Sequence, residues 1–89
     1  MRTPAYTTRF EKDLKRMIKR GYDPENIKAV IQDLIDGKPL EQKYRDHVLI
    51  GNFKDRRACH IAPDWILIYR LDHSHILFER TGTHADLFR

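Results

Sequence analysis

Residues 65–80 read WILIYRLDHSHILFER, and the fold class follows from this stretch. Its first five residues are rich in aromatic and β-branched side chains, which is typical of a buried central strand. Residues 72–75, DHSH, have the composition of a turn. Residues 76–80, ILFER, then predict a second strand that pairs with the first as a hairpin. Residues 56–61 alternate loosely between polar and apolar and predict a further strand before the hairpin.

The residues before this sheet predict two helices. Apolar side chains recur at helical spacing in both segments, namely Phe10, Leu14, Met17 and Ile18 in the first and Ile27, Val30, Ile31, Leu34 and Ile35 in the second. Thr7 or Thr8 can cap the first helix, and Gly21 ends it. Asp23 followed by Pro24 marks the start of the second helix, which Gly37 and Pro39 stop.

Residues 3–6 are extended, so the predicted order of elements is β-α-α-β-β-β in one domain over residues 1–89. Helices followed by a run of strands favour an α+β fold, with the helical hairpin packed on one face of an antiparallel sheet. The other face of the sheet stays open. We expect the functional surface there or along its rim.

Composition and charge indicate which partners the protein binds and in which cellular compartment we expect it. The 89 residues carry 17 lysines and arginines against 13 acids, a net charge of +4 that favours anionic partners such as nucleic acid. Cys59 is the single cysteine, which excludes a disulfide within the chain and suits a reducing cytoplasm. The sequence has no apolar run of membrane-spanning length and no signal-peptide pattern, so we expect a cytoplasmic protein without a membrane partner.

Histidine is the residue type that points to chemistry, with five copies in the chain: His47, His60, His73, His75 and His84. His60 ends one predicted strand and Asp64 begins the next, so these two should be neighbours at one end of the sheet. Arg80 ends the paired strand and His84 follows it, which places both at that same end. His73 and His75 lie in the turn, and we interpret them as structural.

Metal-free cleavage of RNA needs a base for the ribose 2′-OH, an acid for the departing 5′-oxygen and a cation for the phosphate. Histidine suits the first two tasks because its pKa of about 6.5 lies near working pH. Arginine suits the third through forked contacts to phosphate oxygens. Asp64 could orient a histidine or act as the base. This chemistry requires no metal and no cofactor.

Three segments carry a family resemblance: Tyr44 to His47, His60 to Tyr69 and Phe78 to Phe88. With PDWILIY and FERTGTHADLF as its specific strings, the sequence resembles the YafQ-type toxins of the RelE/ParE superfamily. The resemblance implies a RelE-like fold and a toxin of a type II toxin–antitoxin pair. It also implies that the toxin cuts translated mRNA in the ribosome without a metal. A cognate antitoxin would neutralise it, and the complex would bind operator DNA through the antitoxin.

The resemblance also implies roles for individual residues. Acid–base catalysis falls to four of them, His47, His60, Asp64 and His84. Three more would contact RNA, with Arg80 at the phosphate, Phe88 as the C-terminal aromatic near the active site, and Trp65 in a less settled role. From composition alone, Trp65 reads as an aromatic of the core or of a cleft wall.

Basic residues suggest a surface for ribosomal RNA. They are Lys12, Lys15, Arg16, Lys19 and Arg20 on the first helix, with Lys54, Arg56 and Arg57 before the sheet. The alternative is a solvated charged face of the kind that covers most small domains.

Three other functions are compatible with these residues. A ParE-like inhibitor of DNA gyrase would have no need of the histidine set. A metal hydrolase using the same histidines would stop working in excess chelator. A non-catalytic RNA-binding module would keep its cellular effect after His84→Ala.

Overall fold

The computed structural model describes residues 1–88, with the side chain of residue 52 left aside. In this range the strands are β1 (Thr3–Tyr6), β2 (His47–Val48), β3 (Arg57–Ala62), β4 (Trp65–Leu71) and β5 (His75–Gly82). The helices are α1 (Thr8–Lys19), α2 (Pro24–Asp36) and the short α3 (His84–Leu87). Two helices packed on one sheet confirm the predicted α+β class. None of the helices in residues 1–88 is long and apolar enough to span a membrane.

The helix boundaries follow from local capping. The Thr7 hydroxyl accepts a hydrogen bond from the Phe10 amide at 2.9 Å, and the Asp23 carboxylate accepts one from the Glu25 amide at 2.9 Å. Both caps satisfy amides that the first helical turn leaves unpaired. Gly37 ends α2 with a φ of 76°, a left-handed conformation that suits glycine. The predicted helix signals are therefore confirmed.

The sheet differs from the prediction in two details. Its strand order is β1-β5-β4-β3-β2, and β1 pairs with β5 in parallel, with Thr3 opposite His75 and Tyr6 opposite Phe78. The expectation of a wholly antiparallel sheet was wrong for this edge. His47 and Val48, expected in a loop, form the extra strand β2 beside β3. Alternation predicts that a segment is a strand, but it does not choose that strand's partner.

Both faces of the sheet are covered in part, which matters for the site. The larger core lies between the sheet and the helices α1 and α2, and includes Phe10, Met17, Ile27, Trp65, Tyr69 and Phe78. A smaller cluster on the other side joins Ala58, Ile66 and Ile68 to Leu87 of α3. Helix α3 therefore packs on the face that was expected to stay open, and it begins with His84.

Candidate active site

The sheet brings two of the predicted histidines together across β4. His60 on β3 pairs with Ile66, which in turn pairs with Gly82 near the end of β5. Two residues after Gly82, the chain enters α3 at His84. The rings of His60 and His84 consequently lie 5.8 Å apart between centroids. The predicted proximity of His60, Asp64 and His84 matches this arrangement.

Asp64 holds His84 in place through two contacts to one oxygen. Its Oδ1 accepts the His84 backbone N–H at 3.1 Å and lies 3.0 Å from His84 Nδ1. These two hydrogen bonds lower the pKa of Asp64, so this carboxylate is ionised at neutral pH. Because Nδ1 of His84 faces Asp64, Nε2 is the ring nitrogen that remains for proton transfer.

His60 lies in a different environment. It is partly buried, and its Nδ1 is enclosed without a hydrogen-bond partner among residues 1–88. Burial lowers the pKa of His60, and electrostatic interactions with the neighbouring His84, Arg45 and His47 side chains lower it further. His60 is therefore neutral at pH 7. Two histidines 5.8 Å apart thus have unlike surroundings.

His47 joins the group from the edge strand. It pairs with Ala58, two residues before His60 on β3, and is exposed. Its Nδ1 lies 2.7 Å from the carbonyl oxygen of Arg45. Arg45 has a φ of 49°, a left-handed conformation that is costly for a residue with a side chain and recurs at functional sites. This turn directs the Arg45 carbonyl to His47.

Phe88 borders the cluster, as the resemblance implies. Its ring lies 5.9 Å from that of His84 and 5.7 Å from that of Phe53 in an edge-on contact. The residue is 41% exposed. An aromatic surface next to His84 is thus available to a nucleobase.

Arg80, predicted to contact the phosphate, forms an ion pair with Asp13 of α1. Its Nε donates to Asp13 Oδ2 at 2.7 Å and its Nη2 lies 3.4 Å from Asp13 Oδ1. Asp13 is 1% exposed and also accepts the Thr81 amide at 3.2 Å. The guanidinium therefore neutralises a buried carboxylate of α1, and two of its five N–H directions are occupied.

Trp65 requires a correction. Its ring is fully buried, its Nε1 donates to the Thr81 hydroxyl at 2.8 Å, and Tyr22 packs edge-on at 5.3 Å. A ring without accessible surface cannot contact RNA, so the predicted RNA contact is wrong and the core interpretation holds. Cys59 is also buried, and burial raises the pKa of its thiol to about 12. Cys59 is not a nucleophile at neutral pH.

Several predicted RNA-contacting arginines already bind acids of the chain. Arg56 donates to Glu79 at 2.8 Å, and Arg57 lies 3.0 Å from Asp46. On α1, Arg16 lies between Asp13 and Asp86, and Arg20 contacts Asp86 at 2.7 Å. The lysines Lys12, Lys15, Lys19 and Lys54 are exposed. The lysines are therefore better placed than the arginines to reach an RNA backbone.

The sequence reasoning missed residues that position the site. Asp86 accepts from the Thr83 amide at 3.1 Å while Thr83 accepts from the Asp86 amide at 3.2 Å, which is a capping box at the start of α3. Arg20 and this cap lower the pKa of Asp86. The pattern Thr83-x-x-Asp86 was a readable capping signal. No sequence signal reveals that Arg20 anchors it.

The described residues offer little to a metal. Within residues 1–88, no three histidine, cysteine or acidic side chains form a group that could hold an ion. His75 begins β5 and lies 3.5 Å from Asp72, and His73 is exposed in the turn. Neither adjoins the cluster of His47, His60, Asp64 and His84, hereafter the histidine cluster.

Comparison with known families places the chain. The family model for the bacterial toxin of the type II toxin–antitoxin system, YafQ, matches residues 2–89. The chain belongs to the YafQ toxin family. It is 45% identical over 84 residues to the mRNA interferase toxin YafQ of Escherichia coli K12, covering 93% of this chain and 91% of that protein. The predicted family resemblance is confirmed, and with it the assignment to type II toxins.

Two solved toxin structures are similar to the chain throughout. The first is the E. coli DinJ–YafQ complex, which aligns with a TM-score of 0.93 at 43% identity and full coverage of both chains. The second is a metal-bound toxin from Helicobacter pylori, with a TM-score of 0.91 at 38% identity, covering 99% of this chain and all of that one. The first confirms the YafQ-type fold.

Proposed function

We propose that this YafQ-family toxin is an endoribonuclease that cuts mRNA on the ribosome by attack of the ribose 2′-OH. The observation that carries the proposal is the pairing of Asp64 with His84 at 3.0 Å, beside a second histidine whose ring centroid is 5.8 Å away. Two histidines at this separation can serve the two ends of one phosphodiester transfer. The similarity to an mRNA interferase toxin supports the same activity.

The reaction needs two proton transfers at one phosphorus. A base takes the proton of the 2′-OH as the 2′-oxygen bonds to phosphorus. The bond between phosphorus and the 5′-oxygen then breaks, and an acid gives that oxygen a proton. The products are a 2′,3′-cyclic phosphate and a 5′-hydroxyl. Water is not consumed in this step, and neither a metal nor a cofactor takes part.

The unlike surroundings of the two histidines suggest their roles. His60 is neutral at pH 7 because burial lowers its pKa, which suits a base. His84 faces the ionised Asp64, which can offset the positive charge of a doubly protonated ring, and this suits an acid. His47 lies on β2, the exposed edge strand beside β3, and would orient the substrate or share the base's task.

Two arginines could offset the charge of the phosphate. Arg80 keeps N–H groups that do not face Asp13 and remains the family-based candidate. Arg45 is exposed and close enough to His60 for its charge to lower the pKa of that ring. Cleavage by Arg80→Lys and by Arg45→Lys would show which arginine contacts the phosphate. Lysine keeps the positive charge but loses the forked pair of N–H donors, so the variant at the contacting position should lose more activity.

The proposed partners follow from the family and from the surface. A cognate antitoxin would neutralise the toxin, since E. coli YafQ was crystallised with DinJ in a toxin–antitoxin complex. The complex would bind operator DNA through the antitoxin. Ribosome and translated mRNA are the targets, which places the toxin in the cytoplasm. Phe88 and the exposed lysines Lys15, Lys19 and Lys54 would contact RNA.

The first experiment maps mRNA ends in a translation extract. Wild-type toxin should produce cuts within translated codons, and His84→Ala should abolish them. His73→Ala is the matched control, because His73 is an exposed histidine outside the histidine cluster and should change nothing. A 2′-deoxy residue at the cut site should block cleavage. Efficient cutting of the deoxy substrate, or toxicity with intact mRNA, would refute the proposal.

A modified leaving group tests the assignment of the acid. Replacing the 5′-bridging oxygen by sulfur gives a leaving group that departs without a proton. Cleavage by His84→Ala should then recover, whereas His60→Ala should stay inactive. Recovery of His60→Ala instead would exchange the two roles. Wild-type activity should survive excess chelator, and loss that Zn²⁺ or Mg²⁺ restores would favour a metal hydrolase.

A further inference from the structure

A cavity of about 550 Å³ adjoins the histidine cluster, and the two proton transfers do not use it. Its walls are the N-terminal part of α2, residues 43–45 and the end of β3 with the turn that follows. His60 is one of its lining residues, so the cavity and the reactive cluster share a side chain. The volume lies within the range of about 300–1,000 Å³ that is usual for small-molecule sites.

We propose that this cavity binds the nucleobase next to the cut bond and so sets the sequence preference of cleavage. The inference rests on the function proposed above. Ile61, Ala62 and Pro63 supply an apolar wall, and Tyr44 supplies a partly buried ring. An apolar wall next to an aromatic ring suits a heteroaromatic base, because bases stack on aromatic rings without regard to their edges.

Polar groups on the α2 side can read the edge of that base. Glu25 and Asn26 line the cavity from the first turn of α2, and both are exposed. A carboxylate accepts hydrogen bonds from exocyclic amino groups, and an amide both donates and accepts, as base recognition requires. A bare phosphate would be repelled by Glu25. The base rather than the phosphate therefore belongs on this side.

Cations at the other side can hold the phosphate of the same nucleotide. Lys43 and Arg45 line the cavity together with His60. Lys43 Nζ lies 5.1 Å from the centroid of the Tyr44 ring, a cation–π contact that holds its positive charge beside the ring. The acidic side chain on one side and the basic side chains on the other would orient a nucleotide. Its phosphate would lie at His60 and its nucleobase at Glu25 and Asn26.

The test measures cleavage of mRNAs that differ in a single base next to the cut. Wild type should prefer some bases over others. Asn26→Ala should reduce that preference about tenfold, as expected when one edge-reading hydrogen bond is removed, while cleavage of the poorest substrate persists. Ala29→Phe, which fills the cavity from an exposed position on α2, should slow cutting of every substrate. Gln32→Ala is the control on the same helix, since Gln32 does not line the cavity.

The outcomes separate this inference from the proposed function. Absence of any cleavage by wild type would contradict the nuclease itself. Cleavage whose base preference is absent, or is unchanged in Asn26→Ala and Glu25→Gln, would overturn the base-binding cavity and leave the nuclease standing. An equal loss on all four bases in Asn26→Ala would also overturn it. If the variants changed only inhibition by the antitoxin, the cavity would belong to that partner instead.

Discussion

At the scale of single residues, Asp64 has one task that its geometry defines. It accepts two hydrogen bonds from His84, one from the backbone and one from the ring. Because both bonds favour the ionised carboxylate, Asp64 is better suited to orient His84 than to remove a proton itself. The sequence reasoning left both roles open. The contacts favour the first.

Asp64→Asn should therefore impair cleavage and leave the fold intact. Asparagine can still accept the His84 backbone N–H, but it no longer fixes the ring with a charge. We expect loss of about 10²-fold or more in single-turnover cleavage, the scale of acid–base catalysis. The thermal midpoint should move little because Asp64 is exposed. Activity within about threefold of wild type would remove Asp64 from the mechanism.

The surroundings of His60 give a prediction about pH. Burial and positive neighbours lower its pKa, so a base at this position stays neutral until the pH falls below about 6.5. Cleavage should decline only as the pH drops through that lowered pKa. In Arg45→Gln, one positive neighbour is gone and the decline should begin at higher pH. Titration of the His60 ring by NMR measures its pKa in wild type and in Arg45→Gln. An unchanged pKa in the variant would contradict the effect that is assigned to Arg45.

At the scale of elements, α3 is a four-residue helix that presents a proposed catalytic side chain at its first position. So short a helix has little stability of its own. The capping box between Thr83 and Asp86 and the contact of Asp86 with Arg20 on α1 hold it. The position of His84 thus depends on residues that never touch the substrate.

Thr83→Ala should lower the free energy of unfolding by about 1 kcal/mol, the usual cost of losing an N-cap. Cleavage should fall as well, because α3 no longer holds His84 against Asp64. Thr83→Ser is the matched variant, since serine keeps the capping hydroxyl, and it should behave like wild type in urea unfolding and cleavage. Full activity in Thr83→Ala would show that α3 does not need its cap.

The contact of α1 with β5 makes a second prediction at this scale. Asp13→Ala should destabilise the fold by about 3 kcal/mol, because it leaves the largely buried Arg80 without its acid. The double variant Asp13→Ala/Arg80→Ala should unfold less easily than Asp13→Ala alone, since both charges are gone. Urea unfolding compares wild type, Asp13→Ala, Arg80→Ala and the double variant. A double variant weaker than either single one would mean that the pair is not the main contact.

At the scale of the whole molecule, the positive charges fall into two groups, arginines in internal ion pairs and lysines exposed on the surface. The arginines Arg16, Arg20, Arg56, Arg57 and Arg80 bind acids of the chain itself. Exposed lysines on α1 remain for an external partner. Arginine's fork suits fixed internal pairs, whereas lysine acts as a point charge toward an RNA backbone. The net charge of +4 alone does not show this division.

Ribosome binding should therefore depend on the α1 lysines. Lys12→Gln/Lys15→Gln should reduce the slope of log affinity against log salt by roughly 0.7–0.9 for each phosphate that the variant no longer neutralises. Lys28→Gln/Lys38→Gln removes the same charge from exposed positions elsewhere and is the control. Equal slopes for the two variants would mean that only net charge matters and that α1 is a solvated face.

The amino-acid sequence was enough to establish the fold class and most element boundaries, and to predict that His60, Asp64 and His84 lie together. Helical spacing, caps and strand alternation act between neighbours in the chain, so they can be read locally. Tertiary packing was needed to establish that β1 lies parallel to β5, that Trp65 is buried and that Arg80 binds Asp13, 67 positions away. Such contacts depend on which faces meet after packing. The sequence of residues 65–80 predicted a strand ending in Arg80, but only tertiary packing determined which side chain that arginine contacts.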